Sequence, residues 1–267
     1  INSALLRAED PTFFQEGYKG NNKPRVADIT ATTENLGSLR VGTQWLAYYN
    51  TVAYPVDFFS SFYSGYATQA TFRRDAATYT TPSMAGLTAS VSAVDQTDEA
   101  GTSYLDTMQY AMSWALGDLT LGLAYQDTEQ DSADNADQAG VSAAYVLGGW
   151  RFAAKVEQLL SNDDTVQDDD PVTYNLYGSY SWDNYTVKAM FANGEETDDP
   201  AAFFQGDSYQ VGLDYQYSEN LKLFADYFYE ELGYAIYTPT SRSFNPLAGY
   251  HVESDGQAFS LGLRYDF

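Results

Sequence analysis

The sequence predicts an all-β fold: a transmembrane, antiparallel, up-and-down β-barrel. Three observations predict it. Apolar and polar residues alternate with a two-residue period along most of the chain, which sorts them onto the two faces of strands. Tight turns rich in Gly, Asn and Asp take turns with long polar loops. The apolar rows end in aromatic rings, as expected where a strand leaves hydrocarbon for water.

The alternation is plain in four stretches. Tyr209, Val211, Leu213, Tyr215 and Tyr217 enclose Gln210, Gly212, Asp214 and Gln216. Tyr174, Leu176, Gly178, Tyr180 and Trp182 alternate with Asn175, Tyr177, Ser179 and Ser181. Leu119, Leu121, Leu123 and Tyr125 form a third row, and Met108, Tyr110, Met112, Trp114 and Leu116 a fourth. The chain ends the same way: Leu263, Tyr265 and Phe267 are apolar, Arg264 and Asp266 charged.

Six connections are tight: Asn35–Gly37, Met84–Gly86, Gly117–Asp118, Gly148–Gly149, Asp183–Asn184 and Ser218–Asn220. Between them lie seven longer loops, near 10–24, 47–71, 96–103, 127–137, 159–170, 193–207 and 230–257. Six hairpins and one strand at each terminus make 14 strands, with short turns at one end and long loops at the other. No domain boundary interrupts the pattern, so residues 1–267 are read as a single barrel domain.

Composition narrows the function. Lys+Arg is 13 against Asp+Glu 37, a net charge of −24, which excludes nucleic acid as a partner. There is no cysteine, hence no disulfide or thiolate metal site. The single histidine, His251, stands beside Glu253 and Asp255 in the last long loop and is weak ground for an enzyme; none is expected. No run approaches 18 apolar residues, so no transmembrane helix is expected. The 24 tyrosines suit an interface between oil and water.

A β-sandwich also alternates, and charge placement separates the two. Arg40, Arg74, Arg151, Lys155, Lys188, Lys222 and Arg264 all fall on the polar parity of their strands. So do Asp28, Glu157, Asp214, Asp226 and Asp266. The apolar rows carry rings at their ends, with Trp150 opening one and Trp182 closing another. A lysine or arginine on a lipid face near the midplane costs about 2–4 kcal/mol, and none falls there. The polar face therefore lines a wet interior, and 14 or more strands leave that interior too wide for side chains to fill.

Three stretches resemble the general diffusion porins of Gram-negative outer membranes. "LGSLRVGTQWLAYYNTVAYPVDFF" resembles the strand that runs into an inward-folded loop. "RRDAATYTTPSMAGLTASVSA" resembles the next hairpin, and "FSLGLRYDF" the closing strand, a resemblance that implies an assembly signal in the terminal Phe267. That family has 16 strands and folds its third long loop inward, whereas the candidate loop here, 47–71, is the second. Either an N-terminal hairpin lies outside this sequence or the barrel has 14 strands; the abrupt start at Ile1 favours the first.

The resemblance implies a homotrimer in the bacterial outer membrane, in contact with lipid and lipopolysaccharide. Each barrel would pass small hydrophilic solutes and ions down their gradients. It also places a constriction at the inward loop, with Arg40 and Arg74 on the wall, Asp57 on the loop, and Tyr54 and Phe58 beside it. The alternative for the arginines is pairing with nearby acids. The loop rings either pack against the wall, the favoured reading, or line the pore.

The further lumen charges are Arg151, Lys155, Glu157, Lys188, Asp214, Lys222, Asp226 and Arg264, which largely balance one another. No cofactor is expected. The acidic loops could hold Ca2+ or Mg2+, but "DTEQDSADNAD" lacks the central glycine of an EF-hand loop. With acidic loops around the mouth, a weak cation preference is expected. The competing reading is a substrate-specific, oligosaccharide-type channel in which Tyr177, Phe224, Phe228 and the loop rings form an aromatic slide.

Overall fold

A computed structural model describes residues 3–9, 26–61, 68, 70–97, 103–128, 136–161, 171–195, 206–231 and 256–266. Fourteen strands run through these residues. The first five are Ser3–Glu9 (β1), Val26–Thr33 (β2), Gly37–Trp45 (β3), Arg73–Thr80 (β4) and Leu87–Thr97 (β5). Ser103–Leu116 (β6), Leu119–Thr128 (β7), Ala136–Leu147 (β8) and Trp150–Ser161 (β9) follow. The last five are Val172–Trp182 (β10), Tyr185–Gly194 (β11), Gly206–Gln216 (β12), Leu221–Glu230 (β13) and Gly256–Tyr265 (β14). Each pairs antiparallel with the next, in chain order, as one sheet.

All six tight turns lie where Gly, Asn and Asp placed them. Gly117 at φ 63°, Gly148 at φ 57° and Asp183 at φ 46° adopt the left-handed backbone that two-residue hairpins require. The strand ends bounding the long connections fall within three residues of the expected limits.

Register carries the two-face pattern across the sheet, because directly paired residues share a face. Arg151 pairs with Ser179, Ser179 with Lys188, Lys188 with Gly212, Gly212 with Asp226, and Asp226 with Ser260. In the β1–β2 register Arg7 stands opposite Asp28.

The other face is exposed and apolar. Val41, Met112, Leu123, Val141, Leu176, Val211 and Leu261 all lie open on it. Rings flank these aliphatics. At the short-turn end Trp150 meets Tyr180 at 4.5 Å, Tyr180 meets Trp182 at 5.8 Å, and Trp182 meets Tyr185 at 5.6 Å. Tyr185 then meets Tyr215 at 4.8 Å. At the long-loop end Phe191 lies 5.8 Å from Tyr174 and 5.1 Å from Tyr209. On β11 the two belts are six residues apart, about 20 Å along the strand.

Among the described residues, the buried apolar clusters lie between the inner face and residues 46–56, not between two sheets. That segment's neighbourhood touches strands from β5, where Ala47 N–H donates to Ser92 Oγ, to β13, where Ser61 N–H donates to Asp226. Eight strand intervals would cover about 38 Å on a flat sheet. Residues 47–56 are helical and the segment reaches about 30 Å at most. The sheet therefore curls around it.

Candidate pore constriction

The segment leaves β3 at Leu46 and turns inward at once. Leu46 N–H donates to Phe72 O at 2.9 Å, which pins the two stems together. A π-helical turn, Tyr49–Ala53, and a 3-10 turn, Tyr54–Val56, follow, with Pro55 in the first turn of the second, where its missing N–H is not needed. Three glutamines hold the stems. Gln109 Oε1 accepts from Tyr48 N–H at 3.0 Å, and its Nε2 donates to Thr71 O at 2.7 Å. Gln126 Oε1 accepts from Thr71 N–H at 3.0 Å, and Gln44 Nε2 donates to Ala76 O at 2.8 Å.

The helical turns rest on a wall of small side chains. Ser142 Oγ donates to Thr51 O at 2.7 Å. A Cβ added to Gly140 would collide with the Tyr48 phenol, and one added to Gly122 would come 2.5 Å from Thr51 O. Val52 packs with Ala111 and Ala124, and Val56 with Ala144 and Ala153. Burial pushes the Tyr48 phenol well above its ordinary pKa, and the Glu157 carboxylate adds to the shift.

The tip is fixed by charge. Ser60 N–H and Ser61 N–H donate to Asp226 Oδ2 at 3.1 and 3.2 Å, and Ser61 Oγ donates at 2.8 Å. Lys188 Nζ donates to Phe58 O at 3.0 Å and to Asp214 at 2.8 Å, and lies 3.7 Å from Asp226. Lys222 Nζ reaches Ser60 Oγ at 3.0 Å and Asp214 at 3.2 Å. Lys155 and Glu157 are both buried and form a salt bridge, and Thr68 Oγ1 donates to Glu157 at 2.8 Å. Phe58 lies tilted against Tyr177 and Phe59 meets it edge-on, with centroids 5.3 and 6.3 Å away. Arg151 covers Phe58 at 4.4 Å and Lys188 covers Phe59 at 5.0 Å.

The β3–β4 wall is different. Arg40 Nε sits 3.6 Å from Asp28 and donates to Thr30 Oγ1 at 3.1 Å, with its side chain 35% exposed. Arg74 is exposed and makes no ion pair among the described residues.

A family model described as "Gram-negative porin" matches residues 3–233. The chain belongs to the Gram-negative porins. Among curated proteins none matches. OmpF of Salmonella typhi, solved with daunomycin, superposes with a TM-score of 0.69 at 16% identity, over 93% of this chain and 80% of that one. The trimer form of OmpT from Vibrio cholerae gives 0.59 at 17% identity, over 92% and 82%. A mutant porin of Rh. blastica gives 0.55 at 20%, over 94% and 81%. Likeness at these identities shows the fold; the family model shows the membership. The protein is thus a porin, a β-barrel channel of the bacterial outer membrane.

Within this porin the expected site residues separate into groups. Asp57 is half-buried and accepts from Tyr49 Oη at 2.6 Å. Tyr54 is 50% exposed, while Phe58 is docked on the wall. The expected lumen charges all lie on the inner face, but Lys155, Glu157, Lys188 and Asp226 are buried beneath the inward segment. Arg264 is exposed and donates to Asp266 at 2.9 Å. The aromatic slide loses two of its wall rings, because Tyr177 and Phe228 are buried. Phe267, His251, Phe62, Tyr63 and Tyr66 lie outside the described residues, as do most of the acidic loop blocks proposed for Ca2+ or Mg2+.

The glutamine clamps and the glycine seat escape a reading by charge alone. The signal for the seat is present in the sequence: Gly122, Ala124, Gly140, Ser142 and Ala144 form a patch of small residues on the polar parity of β7 and β8.

Proposed function

We propose that this porin is a general diffusion channel for small hydrophilic solutes and ions, narrowed by residues 47–71, with a weak cation preference. One observation carries the reading. A single segment is bonded to the inner wall from β5 to β13, while on the β3–β4 wall Arg74 is left in water. Such an arrangement leaves a gap between a fixed segment and a partly charged wall, the combination that limits size and sorts charge. The loop acids outnumber the exposed wall cations, since net charge is −24, and so draw cations to the mouth. Family membership and the trimeric form of the OmpT neighbour support a homotrimer surrounded by lipid and lipopolysaccharide.

Planar-bilayer recording in a KCl gradient tests this reading. Ohmic conductance with a reversal potential of the sign set by K+ is expected. An anion-selective reversal, or no conductance, overturns it. Saturable block by an oligosaccharide at millimolar concentration would move the assignment to a substrate-specific channel, for which Tyr54 is an exposed ring among the described residues of the segment.

A further inference from the structure

Beneath the tip of the inward segment, on its short-turn side, lies a cavity of about 360 Å³. This is at the small end of ligand pockets, about 300–1,000 Å³. Its lining includes Phe58, Arg151, Tyr177, Lys188, Asp214 and Lys222. Arg151, Lys188 and Lys222 stand there against Asp214, with Asp226 behind Lys188 at 3.7 Å, an excess of one cation in a protein whose net charge is −24. Lys188 and Lys222 share Asp214, at 2.8 and 3.2 Å. Arg151 has no ion pair among the described residues, and its Nε is buried without an acceptor. Its guanidinium is held over the Phe58 ring at 4.4 Å, so its position is set before anything binds. Ser179, Ser181 and Thr186 bring hydroxyls to the same lining.

We propose that this cavity binds small planar carboxylates, with Arg151 as the recognition group. The guanidinium fork matches a carboxylate in two parallel N–H···O bonds. Phe58 and Val146 give the lining an apolar side for a flat organic body, which inorganic phosphate lacks. Lys222, 23% exposed, adds long-range attraction. An acid that has passed the narrowing meets this site next, and its occupancy slows exit. The proposal rests on the channel reading only for the route by which the acid arrives.

Isothermal titration of the detergent-solubilised porin with benzoate tests binding without conduction, and benzamide and inorganic phosphate serve as the comparison ligands. Saturable benzoate binding is expected, at least tenfold tighter than either comparison ligand. Arg151→Gln should weaken it about tenfold or more, the loss of a charge-assisted hydrogen bond. Arg151→Lys should fall between, and Lys222→Gln should weaken it less. In single-channel records benzoate should add concentration-dependent closures that Arg151→Gln removes. Equal binding of benzamide or phosphate, or unchanged benzoate affinity in Arg151→Gln with an intact β signature by circular dichroism, overturns the proposal. A porin that binds benzoate but conducts nothing would overturn the channel reading and leave this site standing.

Discussion

The two sides of the lumen handle charge in opposite ways. On β9–β13, Lys155, Glu157, Lys188 and Asp226 are covered and interlocked with the inward segment. On β3–β4, Arg40 keeps a third of its surface and Arg74 stays open. Charged residues on the same polar parity thus stand in different surroundings. Charges under the segment are structural, screened little by salt, and fix its position. On the proposed channel reading, charges on the bare wall act on whatever passes.

The largest effect should come from the covered side. Lys155→Met leaves Glu157 buried without its partner, which costs about 3–5 kcal/mol. Denaturant unfolding in detergent would show the loss, and the double variant Lys155→Met, Glu157→Leu should recover most of it. Gly140→Ala comes next. A methyl driven into the Tyr48 phenol costs about 1–3 kcal/mol by overpacking. Because the strain falls on the segment, single-channel conductance should change while the circular dichroism spectrum does not.

A smaller, pH-linked effect belongs to Tyr48. Its phenol is raised in the folded protein, whereas the unfolded side chain titrates near 10. Below about pH 10 both states keep the proton, and the stabilisation is fully present. Above that only the unfolded chain releases it, so stability falls by up to about 1.4 kcal/mol per pH unit until the folded value is reached. Tyr48→Phe should flatten this part of the profile relative to the parent, measured by unfolding between pH 9 and about 11.

The smallest structural effect is expected on the bare wall. Arg74→Gln should leave stability within about 0.5 kcal/mol. An exposed charge acts through water, where a close pair is worth about 1 kcal/mol or less, so the K+/Cl− permeability ratio should rise by at most about fivefold. Arg40→Gln should shift the ratio less, because Asp28 already neutralises part of its field. An equal shift from Lys155→Met would erase the distinction between the two walls.

The fold was almost wholly readable from residue order. A period of two, rings at strand ends and Gly/Asn/Asp turns are local signals, and each of the six hairpins obeys them. Arg40 and Arg74 also fell on the expected face. What local pattern could not give is cover. Parity tells that Lys188 points inward, but not that Phe58 and Ser60, more than a hundred residues earlier, would lie on top of it and its neighbour Lys222. Tyr177 shows the same limit: an inward ring reads as pore lining until another segment lands on it. The small-residue patch on β7 and β8 was the clue to where that segment leans.

The bonds from Ser60 and Ser61 to Asp226 span about 165 positions and end on β13, the penultimate strand. Contacts of such separation close late, after local hairpins have formed. Until β13 joins the sheet, Ser60 and Ser61 lack the carboxylate that fixes them, although Phe58 can already rest on β9–β11. The aperture therefore acquires its final calibre only once the penultimate strand is in place.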